Sequence, residues 1–114
     1  MSGQDETVWK NAELIRKALE QYRTEPKDST IRKSIDRIMQ IHSKREQINC
    51  DKYYKRRHNI LVLEYIIAEP MTRRQIMLKL GISVGYETYK RQIEKGIMEL
   101  AEIMFGCCYM DTEE

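Results

Sequence analysis

The chain has 114 residues, 41% apolar and 33% charged, with a net charge of +2 and only five Gly and two Pro. That is enough for one domain around one core, and it leaves little material for a turn-rich β fold. No run approaches the eighteen or so apolar residues of a membrane span, the first ten residues lack the apolar segment of a secretion signal, and three Cys, with Cys107 and Cys108 adjacent, do not make a disulfide framework. The expectation is an all-α cytoplasmic protein with reduced thiols, of four to five helices.

The small net charge hides a division along the chain. Residues 27–96 carry 16 Lys and Arg against 8 Asp and Glu, a net of +8, and the two ends together carry −6. A basic middle of this kind suits a polyanion-binding surface, although a solvated helical surface would have the same composition.

Four stretches divide the chain: an N-terminal helix in 1–26, a basic helical middle in 27–70, a helix-turn-helix in 71–106 and an acidic tail in 107–114. In the first, Val8, Ala12, Ile15, Leu19 and Tyr22 recur on one helical face with Trp9 beside it as a packing anchor. Pro26 disfavours helical geometry in the residue before it, so the helix should end near Thr24. Asp28, Ser29 or Thr30 can cap a second helix whose core face is Ile31, Ile35, Ile38, Met39 and Ile41. Near Asn49-Cys50-Asp51 the periodicity weakens, which fits a short turn, though a continuous helix to Ala68 is also compatible. His42 and His58, sixteen residues apart and without an evident carboxylate partner, are expected on the surface or half-buried.

The run Lys52-Tyr-Tyr-Lys-Arg-Arg-His58 is the densest basic and aromatic cluster. Lys52, Lys55, Arg56 and Arg57 suit contact with backbone phosphates, while Tyr54 aligns with Leu61 and Tyr65 on a core face. Ile60, Leu61, Leu63, Ile66 and Ile67 continue this third helix until Glu69-Pro70 stops it.

Beyond Pro70, Ile76, Met77 and Leu80 mark a short helix that Thr72 can cap and Gly81 can end. Tyr89, Ile93, Ile97, Leu100, Ala101 and Met104 then mark a longer helix with one apolar stripe. Short helix, glycine turn and long helix make a helix-turn-helix whose second helix can enter the DNA major groove. The turn Gly81-Ile-Ser-Val-Gly85 is about two residues longer than usual, so Ser83 or Gly85 can cap the recognition helix. With Tyr89 and Ile93 inward, Tyr86, Glu87, Lys90, Arg91 and Glu94 face outward and Thr88 lies at the margin. Lys90 and Arg91 then suit guanine, Glu87 suits cytosine, and Tyr86 and Thr88 suit phosphate or a thymine methyl. Arg73 and Arg74 suit phosphates, and Ser83 at the turn is a further candidate DNA contact.

The segment Thr72-Arg-Arg-Gln-Ile-Met-Leu-Lys-Leu-Gly-Ile-Ser83 resembles the helix-turn-helix of bacterial sigma factors. With Glu87-Thr-Tyr-Lys-Arg91, Ile97-Met-Glu-Leu-Ala-Glu102 and Phe105-Gly106, it is similar to the phage and prophage late-transcription regulators of the ArpU and RinA type. Met77 stands where that pattern usually has alanine, so the two helices should pack less closely or at a changed angle. The resemblance implies a double-stranded DNA-binding regulator of phage late genes in a bacterial host cell, with RNA polymerase as a candidate partner. Two other classes fit the same residues: a packaging protein of the small-terminase type, and a helical adaptor that binds proteins alone. The apolar tail from Ile103 to Met110 can pack on the first helix or form a homodimer contact. No catalytic constellation, cofactor motif or metal-ligand spacing is evident, so an enzyme is not expected.

Overall fold

A computed structural model of the protein describes residues 3–46, 48 and 51–106, with backbone only for 3–8. Within them the chain is all-α, with five α-helices. Helix α1 (Gly3–Gln21) tightens into a 3-10 turn at Tyr22–Thr24 just ahead of Pro26. Ser29, among the three capping candidates, starts α2 (Thr30–Arg45): its hydroxyl accepts from the Arg32 N–H at 3.0 Å. The chain does break before α3 (Tyr54–Leu61), where the Asp51 carboxylate accepts from the Tyr53 N–H. Helices α4 (Arg73–Leu80) and α5 (Tyr86–Phe105) follow. No helix among the described residues is long and apolar enough to cross a membrane.

Two apolar clusters hold these helices. The larger gathers Ala12, Ile15, Leu19 and Tyr22 of the N-terminal segment, Ile35, Ile38 and Met39 of α2, Leu61 of α3, and Ile97, Leu100 and Ala101 of α5. The smaller joins Ile60 and Leu63 to Ile76 of α4 and Tyr89 of α5, with Met77, Leu80, Ile82 and Val84 packed around it. Each large aliphatic side chain so buried contributes about 1.5–3 kcal/mol. Ile93 touches both clusters, so α5 fastens the helix-turn-helix to the rest of the protein.

Several expectations are corrected by this packing. Trp9 is 68% exposed and borders a shallow apolar groove with Ala12, Arg16, Glu94 and Met98, so it does not anchor the core. The stripe of α2 rotates past Ile41, which is exposed, and His42 takes the buried position. Met104 likewise lies outside the buried stripe of α5. Val8 and the tail beyond Gly106 fall outside the residues whose side chains are described.

The third helix stops short of Pro70. After Leu61 it widens into a π-helical turn, Val62–Ile66, and Ile67 is already extended. Arg23 explains where it stops. Its guanidinium donates to the carbonyls of Ile67 at 2.7 Å and Glu64 at 2.9 Å, groups that a continuing helix would have used itself. The end of α1 thereby fixes the point from which the chain departs toward the helix-turn-helix.

Helices α3 and α5 meet at Gly96, where a Cβ would come within 2.8 Å of the buried Leu61 side chain. Gly96→Val should therefore destabilise the protein by about 2 kcal/mol through overpacking, read as a lower urea midpoint at unchanged slope. A midpoint equal to or above that of the parent would contradict this close approach.

Candidate nucleic-acid interface

The short helix of the motif is bounded at both ends by its own sequence. At its start Thr72 Oγ1 accepts from the Gln75 N–H at 3.1 Å and Gln75 Oε1 accepts from the Thr72 N–H at 2.9 Å, a reciprocal capping box. At its end Gly81 adopts left-handed geometry (φ 67°), and the Ile82 N–H returns to the Met77 carbonyl at 3.0 Å. Ile82 and Val84 tuck under the helix pair while Ser83 and Gly85 stay exposed. Helix α5 then begins with Gly85 as its cap, the Gly85 carbonyl accepting from the Tyr89 N–H at 3.0 Å. The choice between Ser83 and Gly85 thus falls to Gly85. Ser83 lies in the loop beside a surface hollow lined by Arg73, Arg74, Met77 and Leu78.

Starting the helix at Tyr86 sets its phase. Tyr89 is buried, and its hydroxyl donates to Glu64 Oε2 at 2.9 Å. Burial first, and the Glu64 carboxylate next, raise the Tyr89 pKa above its ordinary value, so it acts as a neutral donor. Tyr86, Glu87, Thr88, Lys90, Arg91 and Glu94 are all exposed on the remaining faces. Arg73 lies over the Tyr86 ring at 4.8 Å, which places its guanidinium beside the first turn of α5. Arg74 is exposed on the same short helix. Seven of the expected contacts, Arg73, Arg74, Tyr86, Glu87, Thr88, Lys90 and Arg91, are therefore exposed, and Arg73, Tyr86 and Lys90 line one surface hollow.

The basic run at the start of α3 divides. Lys52 and Lys55 are exposed, and Arg56 is half-buried with its guanidinium 5.0 Å from the Tyr53 ring centre. Arg57 is only 1% exposed and is held by Glu99 and by Asp51, the latter at 2.9 Å, so it cannot serve as a phosphate contact. Its position gives the reason. Arg57 lies three residues after Tyr54 and four before Leu61, on the core stripe of α3, a signal that the reading of a basic run overrode.

His42 is likewise corrected, for it is fully buried. It completes the stripe Ile35, Ile38, Met39, His42 and donates from Nε2 to Glu99 Oε1 at 2.9 Å. Its Nδ1 lies 2.8 Å from His58 Nδ1, and its ring stacks on Tyr54 at 4.5 Å. The two facing nitrogens form a hydrogen bond only with a single proton between them. Burial, with His42 adjacent, lowers the His58 pKa to about 4. Burial pushes the Glu99 carboxyl up, but the hydrogen bonds from His42 and Arg57 bring it below its ordinary value. The Glu99 partnership spans 57 residues to His42 and 42 to Arg57, a separation that no local pattern reveals.

Comparison of the chain with protein-family models, with curated proteins and with solved structures found no match.

Two outcomes test this geometry. Ser83→Ala should leave the unfolding midpoint within about 0.5 kcal/mol of the parent, because Ser83 caps nothing, whereas Gly81→Ala should cost about 1 kcal/mol at its positive φ. A loss of about 1 kcal/mol at Ser83 would instead mean that α5 starts earlier.

Acid should act through His58 and Glu99. Unfolded His58 binds its proton near its ordinary value of 6.5 and folded His58 only near about 4, so the unfolded state gains protons first. Stability should therefore fall as pH drops from about 6.5 toward 4, by on the order of 2 kcal/mol after discounting for partial solvent access. Below that window, protonation of Glu99 removes more. Urea titrations across this range should give a flatter profile for His58→Gln, and an identical slope in parent and variant would contradict the assignment.

Proposed function

We propose that the protein is a sequence-specific double-stranded DNA-binding regulator of transcription that reads the major groove with the first two turns of α5. The observation that supports this most is the disposition of one helix. Its Tyr89 side is locked inward against Glu64, and Tyr86, Glu87, Lys90 and Arg91 stand exposed at its N-terminal end. The N-terminal residues of a recognition helix are the ones that reach base edges in this motif. Arg91 and Lys90 bring donors suited to guanine O6 and N7, and Glu87 brings an acceptor for the cytosine amino group. Arg73 and Arg74 flank that turn and supply charge to the phosphate backbone, which sets register without reading sequence.

The resemblance to the ArpU and RinA type extends this reading to late genes of a phage or prophage, in the cytoplasm of the bacterial host. RNA polymerase is the partner that such a role implies, and a homodimer through the apolar C-terminal segment would match a two-part operator. The reading involves no covalent step, cofactor or metal.

Arg91→Ala and Lys90→Ala should each reduce the preference for the cognate over a scrambled duplex by about 1–3 kcal/mol, measured by fluorescence anisotropy at fixed salt. Arg73→Ala should weaken binding to both duplexes alike and lower the salt slope by about one. Duplex affinity unaltered in all three variants would remove the basis for the proposal.

A further inference from the structure

The outer face of α5 continues past the residues that would read bases. Glu87, Arg91 and Lys95 follow one another at four-residue steps along the flank turned away from Arg73. Lys95 ends that line with its side chain 60% exposed and its Nζ 3.5 Å from Asp51 Oδ2. The start of α3 is thus brought beside the recognition helix one turn beyond Arg91, although more than thirty residues separate them in sequence. Lys52, Lys55 and Arg56 lie on that turn.

These cations are organised. The Lys52 ammonium and the Arg56 guanidinium lie 5.1 and 5.0 Å from the centre of the same Tyr53 ring, which holds both near one aromatic surface. Two nearby carboxylates are already engaged from inside: Arg57 binds both Asp51 and Glu99, and His42 adds a second bond to Glu99. Lys52, Lys55, Arg56, Arg57 and Lys95, with Arg45 near Tyr54, stand against Asp51, Glu99 and Glu102, six cations to three anions and a local net of +3. Among the described residues, Lys52, Lys55 and Arg56 make no ion pair. An uncompensated group of this kind is stabilised by a polyanion placed across it.

We propose that Lys52, Arg56 and Lys95 form a second duplex contact, holding backbone phosphates on the groove wall opposite the one that Arg73 contacts. The inference rests on the major-groove reading of α5. A helix lying in a groove about 12 Å wide is bordered by phosphates of both strands. Arg73 beside Tyr86 serves one wall, and the α3 turn beside Lys95 is placed for the other. Lys95 belongs to this contact by its position, and nothing in the local sequence distinguishes it from other exposed lysines. The Asp51–Arg57–Glu99 links, centred on the buried Arg57, make the α3 turn a fixed part of the protein, so that phosphates meet preplaced charges.

The test is a titration of the full chain with duplexes carrying its selected site, the flanks shortened one end at a time, for the parent and for Lys52→Ala/Arg56→Ala/Lys95→Ala. Lys52 and Lys95 are exposed and Arg56 is half-buried, and equal circular dichroism melts would show an intact fold. The triple variant should bind cognate and scrambled duplexes at least tenfold more weakly with its sequence preference kept, and its salt slope should fall by about two to three. Shortening one particular end should weaken the parent by a similar factor and leave the variant unaffected. Unchanged affinity and slope in the variant, with the parent binding normally, would overturn the second contact alone. No duplex binding by the parent would overturn the major-groove reading and this contact with it.

Discussion

Glu99 is the tie on which the arrangement depends. A largely buried carboxylate on α5 accepts from His42 of α2 and from Arg57 of α3, and Arg57 continues to Asp51 ahead of α3. Removing one partner from such a group would leave a charge stranded, with a loss of about 3–5 kcal/mol. A second polar pin, Tyr89 to Glu64, lies ten residues earlier on the same helix, about 15 Å along its axis. Two directional contacts three turns apart fix the rotation of α5 more tightly than apolar packing alone, which tolerates small slips. That rotation decides which side chains of residues 86–95 face solvent.

Much of the fold is legible in the sequence because its signals are local. Pro26 and Gly81, the Thr72 cap and the three- and four-residue spacing of Ile15, Leu19, Ile97 and Leu100 place helices where the structure has them. The outward face of α5 is legible for the same reason, since the burial of Tyr89 follows from its place in the stripe. What is not legible depends on distant partners. Arg57 and His42 sit at core positions yet are polar, and composition assigns them to the surface until Glu99 is seen to bond to both. Trp9 errs in the opposite direction: its size suggests an anchor, but its side chain is left largely exposed at the rim of a groove between α1 and α5. The early end of α3 required Arg23, more than forty residues away, to take over its carbonyls.

These corrections sharpen the electrostatic picture. Of the basic middle, one arginine is spent inside the protein, while Arg73 and Arg74 on one side and Lys52, Lys55 and Arg56 on another remain at the surface around α5. An overall charge of +2 therefore understates the local field, because part of the acidic complement is Glu99, already paired with Arg57, and part lies in the C-terminal segment. Exposed polar and charged groups at the start of one helix, with cations on both flanks, are the arrangement on which the proposal of duplex-groove recognition rests.

The most direct measurement is a binding selection by the purified protein on a pool of random duplexes at near-physiological salt, followed by sequencing of the retained fraction. The account predicts enrichment of a defined short motif bound in duplex form, in which guanine or cytosine dominates the positions facing Lys90, Arg91 and Glu87. Retention without any enriched motif, or no retention even at low salt, would contradict it.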